Sequence, residues 1–102
     1  MSFEVKTISV FEKQFKRLVK KYPSLTLELF ELIQLLKSSP EQGTSLGKNC
    51  FKIRIPIKSK GKGKSGGARI IATIVYTGQT VYLLTIYDKS EKSSLTDREL
   101  KL

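Results

Sequence analysis

The stretch Lys52–Arg69, KIRIPIKSKGKGKSGGAR, decides how the chain is read. It starts inside an alternating segment. Phe51, Ile53, Ile55 and Ile57 fall on one side, and Cys50, Lys52, Arg54 and Pro56 on the other. Period two over eight residues is the mark of a β-strand with one buried face. Lys52 and Arg54 then stand on the opposite face, roughly 6.7 Å apart along the strand. A loop, KSKGKGKSGG, carries lysines at 58, 60, 62 and 64 before the chain enters a second strand at Arg69. The stretch holds seven cations and no acid, and no Asp or Glu occurs between Gln42 and Tyr87. That acid-free block supplies eight of the charges behind the formal net charge of +10. Concentrated charge of one sign repels itself, so a polyanionic partner is expected, RNA above all.

Outward from this stretch, the downstream half reads as a β-meander. Ala68–Tyr76 is apolar on both faces, as a central strand is. Thr77-Gly78-Gln79 is a turn, and Val81–Tyr87 is the next strand. Pro56 marks an edge or the end of regular pairing. Upstream, Phe3–Ile8 alternates as a short strand. Ser9 with Glu12 matches a capping box opening a helix to about Lys21, with Phe11, Phe15, Leu18, Val19 and Tyr22 as its apolar stripe. Lys13, Lys16, Arg17 and Lys20 take its other faces. Pro23 ends that pattern, and Ser24 is the expected cap of a second helix to about Ser38. Leu25, Leu29, Leu32, Ile33 and Leu36 form its stripe, widened by Leu27, Phe30 and Leu35 to most of the circumference, which predicts the more buried helix of the two. Their short connection makes the helices antiparallel neighbours. Pro40 and Gly43 punctuate a loop. In the polar tail, Thr96 and Glu99 fit the cap of a last short helix.

The expected fold is α+β, in the order β-α-α-β-β-β, as a single domain over residues 1–102. Two helices cover one face of a small, mainly antiparallel sheet, and the basic face stays open. No apolar run approaches a membrane span, the N-terminus lacks the features of a signal peptide, and a lone Cys50 suits a reducing compartment, so a cytoplasmic protein is expected. The chain has no histidine. Any chemistry falls to Lys, Arg, Tyr, Ser or scattered carboxylates, and a protein-built zinc or magnesium site is not expected.

Two nucleotide-binding patterns fail on context. Gly61, Gly63 and Gly66 match a dinucleotide fingerprint in letters, but that motif opens a helix and here a strand follows. Gly63-Lys64-Ser65 ends like a phosphate-binding loop, yet Lys58 stands where the first glycine belongs. The alternating lysines 58, 60, 62 and 64 read instead as an arm for phosphates, or as a solvated hairpin loop. Lys52, Arg54 and Arg69 read as a phosphate clamp, or as a charged outer sheet face. Tyr76, Tyr82 and Tyr87 suit core or edge positions better than base-stacking platforms. Tyr87, beside the basic block, is the exception to watch.

Three segments carry a resemblance: Asn49–Arg54 (NCFKIR), Gly66–Ile71 (GGARII) and Tyr82–Glu91 (YLLTIYDKSE). In this order they resemble the RelE/ParE superfamily of toxins from bacterial toxin–antitoxin modules, most closely its RelE/HigB-like branch. The resemblance implies a ribosome-dependent mRNA endonuclease that a cognate antitoxin neutralises. In such enzymes the message's own 2′-hydroxyl attacks the adjacent phosphate, and no cofactor is called for. By position, Lys52 and Arg54 match basic strand residues of the family, with Arg54 in place of a lysine assigned as general base. Arg69 matches the arginine that stabilises the phosphorane. The family's general-acid arginine falls at Ser90, flanked by Lys89 and Lys92, and its C-terminal tyrosine falls near Thr96. Because arginine stays protonated, Lys52 becomes the candidate base and Lys89 the candidate acid, with Tyr87 orienting substrate and Lys58, Lys60, Lys62, Lys64 and Lys92 contacting RNA. Two other readings share these residues: a ParE-like gyrase inhibitor, and a basic RNA- or ribosome-binding protein without activity.

Overall fold

Phe51, Ile53 and Ile55 turn one face of their strand into the core, and Ile57, just beyond the strand's end, is buried with them. Ile53, Ile55 and Ile57 are almost wholly buried and Phe51 half-buried. The structure, a computed structural model, describes residues 2–60 and 66–91. Its elements run β1 (Glu4–Thr7), α1 (Ser9–Lys21), α2 (Leu25–Ser38), β2 (Thr44–Gly47), β3 (Cys50–Ile55), β4 (Ala68–Val75) and β5 (Thr80–Asp88). One five-stranded sheet has the order β1-β5-β4-β3-β2. The pairs β2–β3, β3–β4 and β4–β5 are antiparallel, and β1 joins β5 in parallel.

Both helices lie on one sheet face. Their stripes (Phe11, Leu18 and Tyr22; Leu25, Leu29, Leu32 and Leu36) share a core with Ile53, Ile70, Ala72, Ile74, Val81, Leu83 and Ile86. Each aliphatic side chain buried this way contributes about 1.5–3 kcal/mol. The second helix is not buried around most of its girth: Leu27, Phe30 and Leu35 are 59%, 57% and 46% exposed. A helix lying on one face of a single sheet has a partner on one side only.

The helix starts differ from the capping-box expectation. Ile8 holds the N-cap position of α1 and no side chain caps it, while Glu12 instead accepts from the Thr7 hydroxyl. Ser24 is itself helical in φ/ψ and directs its hydroxyl elsewhere, as described below.

β2 is an addition to the expected order. It forms a two-residue hairpin with β3, with Gly47 opposite Cys50. Lys48 (φ 53°) and Asn49 (φ 61°) both adopt the left-handed conformation, as a type I′ turn requires. Every residue of β2 is exposed and only Leu46 is a large apolar one, so no alternation announces the strand. β3 ends at Ile55, where Pro56 stops regular pairing. The expected short helix near Thr96–Glu99 lies outside the described residues.

Candidate RNA-facing site

The antiparallel register brings the basic residues together. Arg54 of β3 pairs with Arg69 of β4, and Arg69 pairs with Tyr87 of β5. Side chains of paired residues rise on the same sheet face. Lys52, two residues before Arg54, shares that face one row further along, opposite Ile71. Thus four of the five expected catalytic residues form a patch three strands wide.

Carbonyl directions sharpen the picture. A Cβ added to Gly67 would sit 2.1 Å from the Ile55 carbonyl oxygen, and one added to Gly43 would sit 2.2 Å from that of Lys52. Ile55 therefore turns its backbone groups toward β4, and Lys52 toward β2. Alternation makes Arg54–Arg69 a pair without mutual backbone hydrogen bonds, the closer of the two antiparallel pair types, with Cα atoms about 4.5 Å apart.

Burial divides the patch. Arg54 is exposed and Lys52 half-buried, whereas Arg69 and Tyr87 are each only 4% exposed. One Arg69 Nη1–H donates to the Ala68 carbonyl at 3.1 Å. Burial, then the like charge of Arg54, hold the Arg69 guanidinium below its ordinary basicity, and Tyr87 offsets part of this. A guanidinium keeps its proton through such a shift. Two adjacent cations, one drawn out of water, attract an anion that can lie across both.

Polar contacts outside the patch fix its surroundings. Glu28, buried in α2, accepts from the Lys58 N–H at 2.8 Å and from the Ser24 hydroxyl at 3.0 Å. Ser24 and Ser59 interlock: the Ser59 N–H donates to Ser24 Oγ (2.9 Å) and the Ser24 N–H to Ser59 Oγ (3.2 Å). The 3-10 turn Lys58–Lys60, the root of the lysine loop, is thereby tied to the start of α2. Gln14 of α1 accepts from the Thr85 hydroxyl (2.7 Å) and the Ile86 N–H (3.0 Å), beside the irregular register that places Thr85 opposite Ile71. Asp88, fully buried, accepts from the N–H and hydroxyl of Ser90 and so shapes the turn that carries Lys89. The Lys89 N–H in turn donates to the Gly67 carbonyl at 3.0 Å, placing Lys89 beside the entrance of β4.

Lys58 and Lys89 are exposed, and Lys60 belongs to the 3-10 turn. Lys62, Lys64 and Lys92 lie outside the described residues. Sequence reasoning missed Glu28 as an anchor, although a signal was present: an acid at 28 sits within the apolar stripe of 25, 29, 32 and 36. Glu28→Leu is expected to cost about 1–3 kcal/mol, the penalty for leaving buried donors unmade, and Glu28→Gln clearly less because its amide oxygen still accepts the Lys58 N–H. Urea unfolding of both variants checks this, and a Leu variant as stable as the parent contradicts the anchor.

The fold and patch together define a small α+β module that gathers cations across three strands of its sheet. Comparison with known proteins is specific about which. The model of the RelE toxin of the RelE/RelB toxin–antitoxin system matches residues 8–102. The chain belongs to the RelE toxin family. Among solved structures, a mutant of Escherichia coli toxin RelE in the free state superposes with a TM-score of 0.65 at 14% identity, covering 91% of this chain and 90% of that one. The RelBE2 toxin–antitoxin complex of Mycobacterium tuberculosis gives 0.59 at 14%, covering 86% and 92%. The archaeal RelE–RelB complex of Pyrococcus horikoshii gives 0.56 at 16%, covering 87% and 97%. At these identities the structures share the fold. No helix among the described residues is long and apolar enough to cross a membrane.

Proposed function

We propose that the chain is the toxin of a toxin–antitoxin pair and acts as a ribosome-dependent mRNA endonuclease. The observation that carries this reading is the Arg54–Arg69 pair facing across β3–β4, with Lys52 on the same face. In the step assigned to it, the 2′-oxygen of a message nucleotide bonds to the adjacent phosphorus while the bond to the 5′-oxygen breaks. Lys52 takes the 2′-hydroxyl proton, and Lys89 gives a proton to the departing 5′-oxygen. Arg54 and Arg69 hold the extra negative charge of the phosphorane, where fixed cations outside bulk water contribute most. Tyr87, paired with Arg69, holds the guanidinium and the substrate in register. Lys58 and the loop beyond it bind flanking phosphates.

The antitoxin is expected to approach from the edge of β3. A groove of about 480 Å³ runs there, lined by Glu31, Leu32 and Leu35 of α2 and by Lys52, Arg54 and Lys58. β2 begins at Thr44, opposite Lys52, so it stops short of the Arg54 backbone groups that point to the same edge. An extended segment with alternating acidic and apolar side chains suits both the free edge and the groove.

Primer extension on a reporter mRNA in a bacterial translation extract tests the activity. Cuts within codons are expected with ribosomes and none without them. An uncut message in both conditions overturns the reading, and loss of supercoiling activity of gyrase would then identify a gyrase inhibitor.

A further inference from the structure

We infer that α1 carries a second polyanion-binding surface, fitted to the phosphates of double-helical RNA and lying on the other side of the molecule from the clamp. Five cations, Lys13, Lys16, Arg17, Lys20 and Lys21, are all exposed on this one helix. At 100° per residue, Lys13, Lys16 and Lys20 point within roughly 60° of one another, directly opposite the buried Phe11–Leu18–Tyr22 stripe. They run about 10 Å along the axis. Neighbours three and four apart repel one another. Among the described residues only Arg17 has an acidic partner, Glu91 at 3.3 Å, and Lys21 rests over the Tyr22 ring. Glu12, the one acid of α1, accepts from Thr7. Lys20 and Lys21 suit the C-terminal end of the helix dipole, but Lys13 and Lys16 gain nothing from it.

The chemistry of the face separates RNA from a protein partner. Protein interfaces have an apolar centre. Of the large hydrophobic side chains of α1 only Val10, one turn before Lys13, is strongly exposed, whereas α2 exposes Leu27, Phe30 and Leu35. A helix face of cations alone fits a phosphate backbone, which positions a protein without reading sequence. Because α1 covers one sheet face and the clamp occupies the other, a single RNA strand does not reach both. The protein sits between RNA segments, with structured RNA behind α1 and the scissile strand on the sheet. This deepens the proposed function by assigning it a second contact with RNA.

The test is binding of the full chain to a 20-base-pair RNA duplex across a salt series, with Lys13→Gln, Lys16→Gln and Lys20→Gln combined in one variant. The slope of log affinity against log salt is expected to fall by about two to three in the variant. Binding of a single-stranded 12-mer is expected to change by less than twofold, and thermal unfolding to stay at or above the parent's. A parent that does not bind the duplex overturns the inference, as does an unchanged slope. So does a variant that keeps duplex binding but loses its antitoxin, which would make α1 a protein surface. The duplex assay needs no cleavage, so a slope change beside an uncut message would retain the surface and reject the endonuclease.

Discussion

Arg69→Ala is expected to lower mRNA cleavage by about 10²–10³-fold and to release growth arrest on expression, the loss seen when a preorganised charge donor is removed from a transition-state site. Three features single out Arg69 from the other cations. It is the central member of the Arg54–Arg69–Tyr87 row, so both flanking strands fix it. It is buried, whereas Arg54 is exposed, so its charge is less weakened by water. Its Nη1–H donates to the Ala68 carbonyl at 3.1 Å, a contact that helps to fix the plane of the guanidinium. Arg69→Lys keeps the charge but loses the planar fork, so its rate should fall between parent and alanine variant. The fold should survive. Removing one of two adjacent cations relieves repulsion and offsets the lost packing, so the Tm is expected to stay within about 5 °C, a change near 1 kcal/mol. Quantified cleavage ends in a translation extract, with melting curves of the same preparations, check both halves. A folded alanine variant that cuts at the parent's rate would remove Arg69 from the chemistry.

The Lys52–Arg54 face was legible because β3 is half-buried: Ile53 and Ile55 declare the inner side, and the cations are left on the outer one. That Arg69 joins the adjacent strand followed from the meander. That it lies directly opposite Arg54 did not, since a ten-residue loop leaves register open and only the full sheet fixes it. The burial of Arg69 and Tyr87 was equally hidden, because a cation in sequence reads as solvated. β2 escaped notice for the converse reason, being a strand with no buried face, held by hydrogen bonds and a turn of two left-handed residues. The width of the apolar surface on α2 misled: Leu27 and Phe30 read as core, yet the one-sided helix layer leaves them to solvent or to a partner.

Gly67→Ala is expected to be strongly disruptive although it adds a single methyl group. The backbone of Gly67 does not adopt a positive φ, so alanine is excluded by space and not by conformation. Its Cβ would lie 2.1 Å from the Ile55 carbonyl oxygen and 2.9 Å from Pro56 Cα, both backbone atoms that no side-chain rotation can move. Either β3 and β4 part at Ile55–Ala68, or the chain before Ala68 swings away and gives up the Lys89 N–H bond to the Gly67 carbonyl. Both routes break pairing next to Arg69. A cost of about 3–5 kcal/mol follows for overpacking against fixed backbone, and for a domain of this size that lowers Tm by roughly 12 °C or more. Gly47 supplies the control. It has φ +85° with no atom within 4 Å of an added Cβ, so Gly47→Ala carries conformational strain alone, about 1–2 kcal/mol. Paired melting curves decide. If Gly67→Ala melts no lower than Gly47→Ala, then β3 and β4 do not close as described, and the facing of Arg54 and Arg69 loses its foundation. If it melts far lower while the surviving folded fraction has lost cleavage, the same close contact that seals the sheet is what holds the two guanidiniums together.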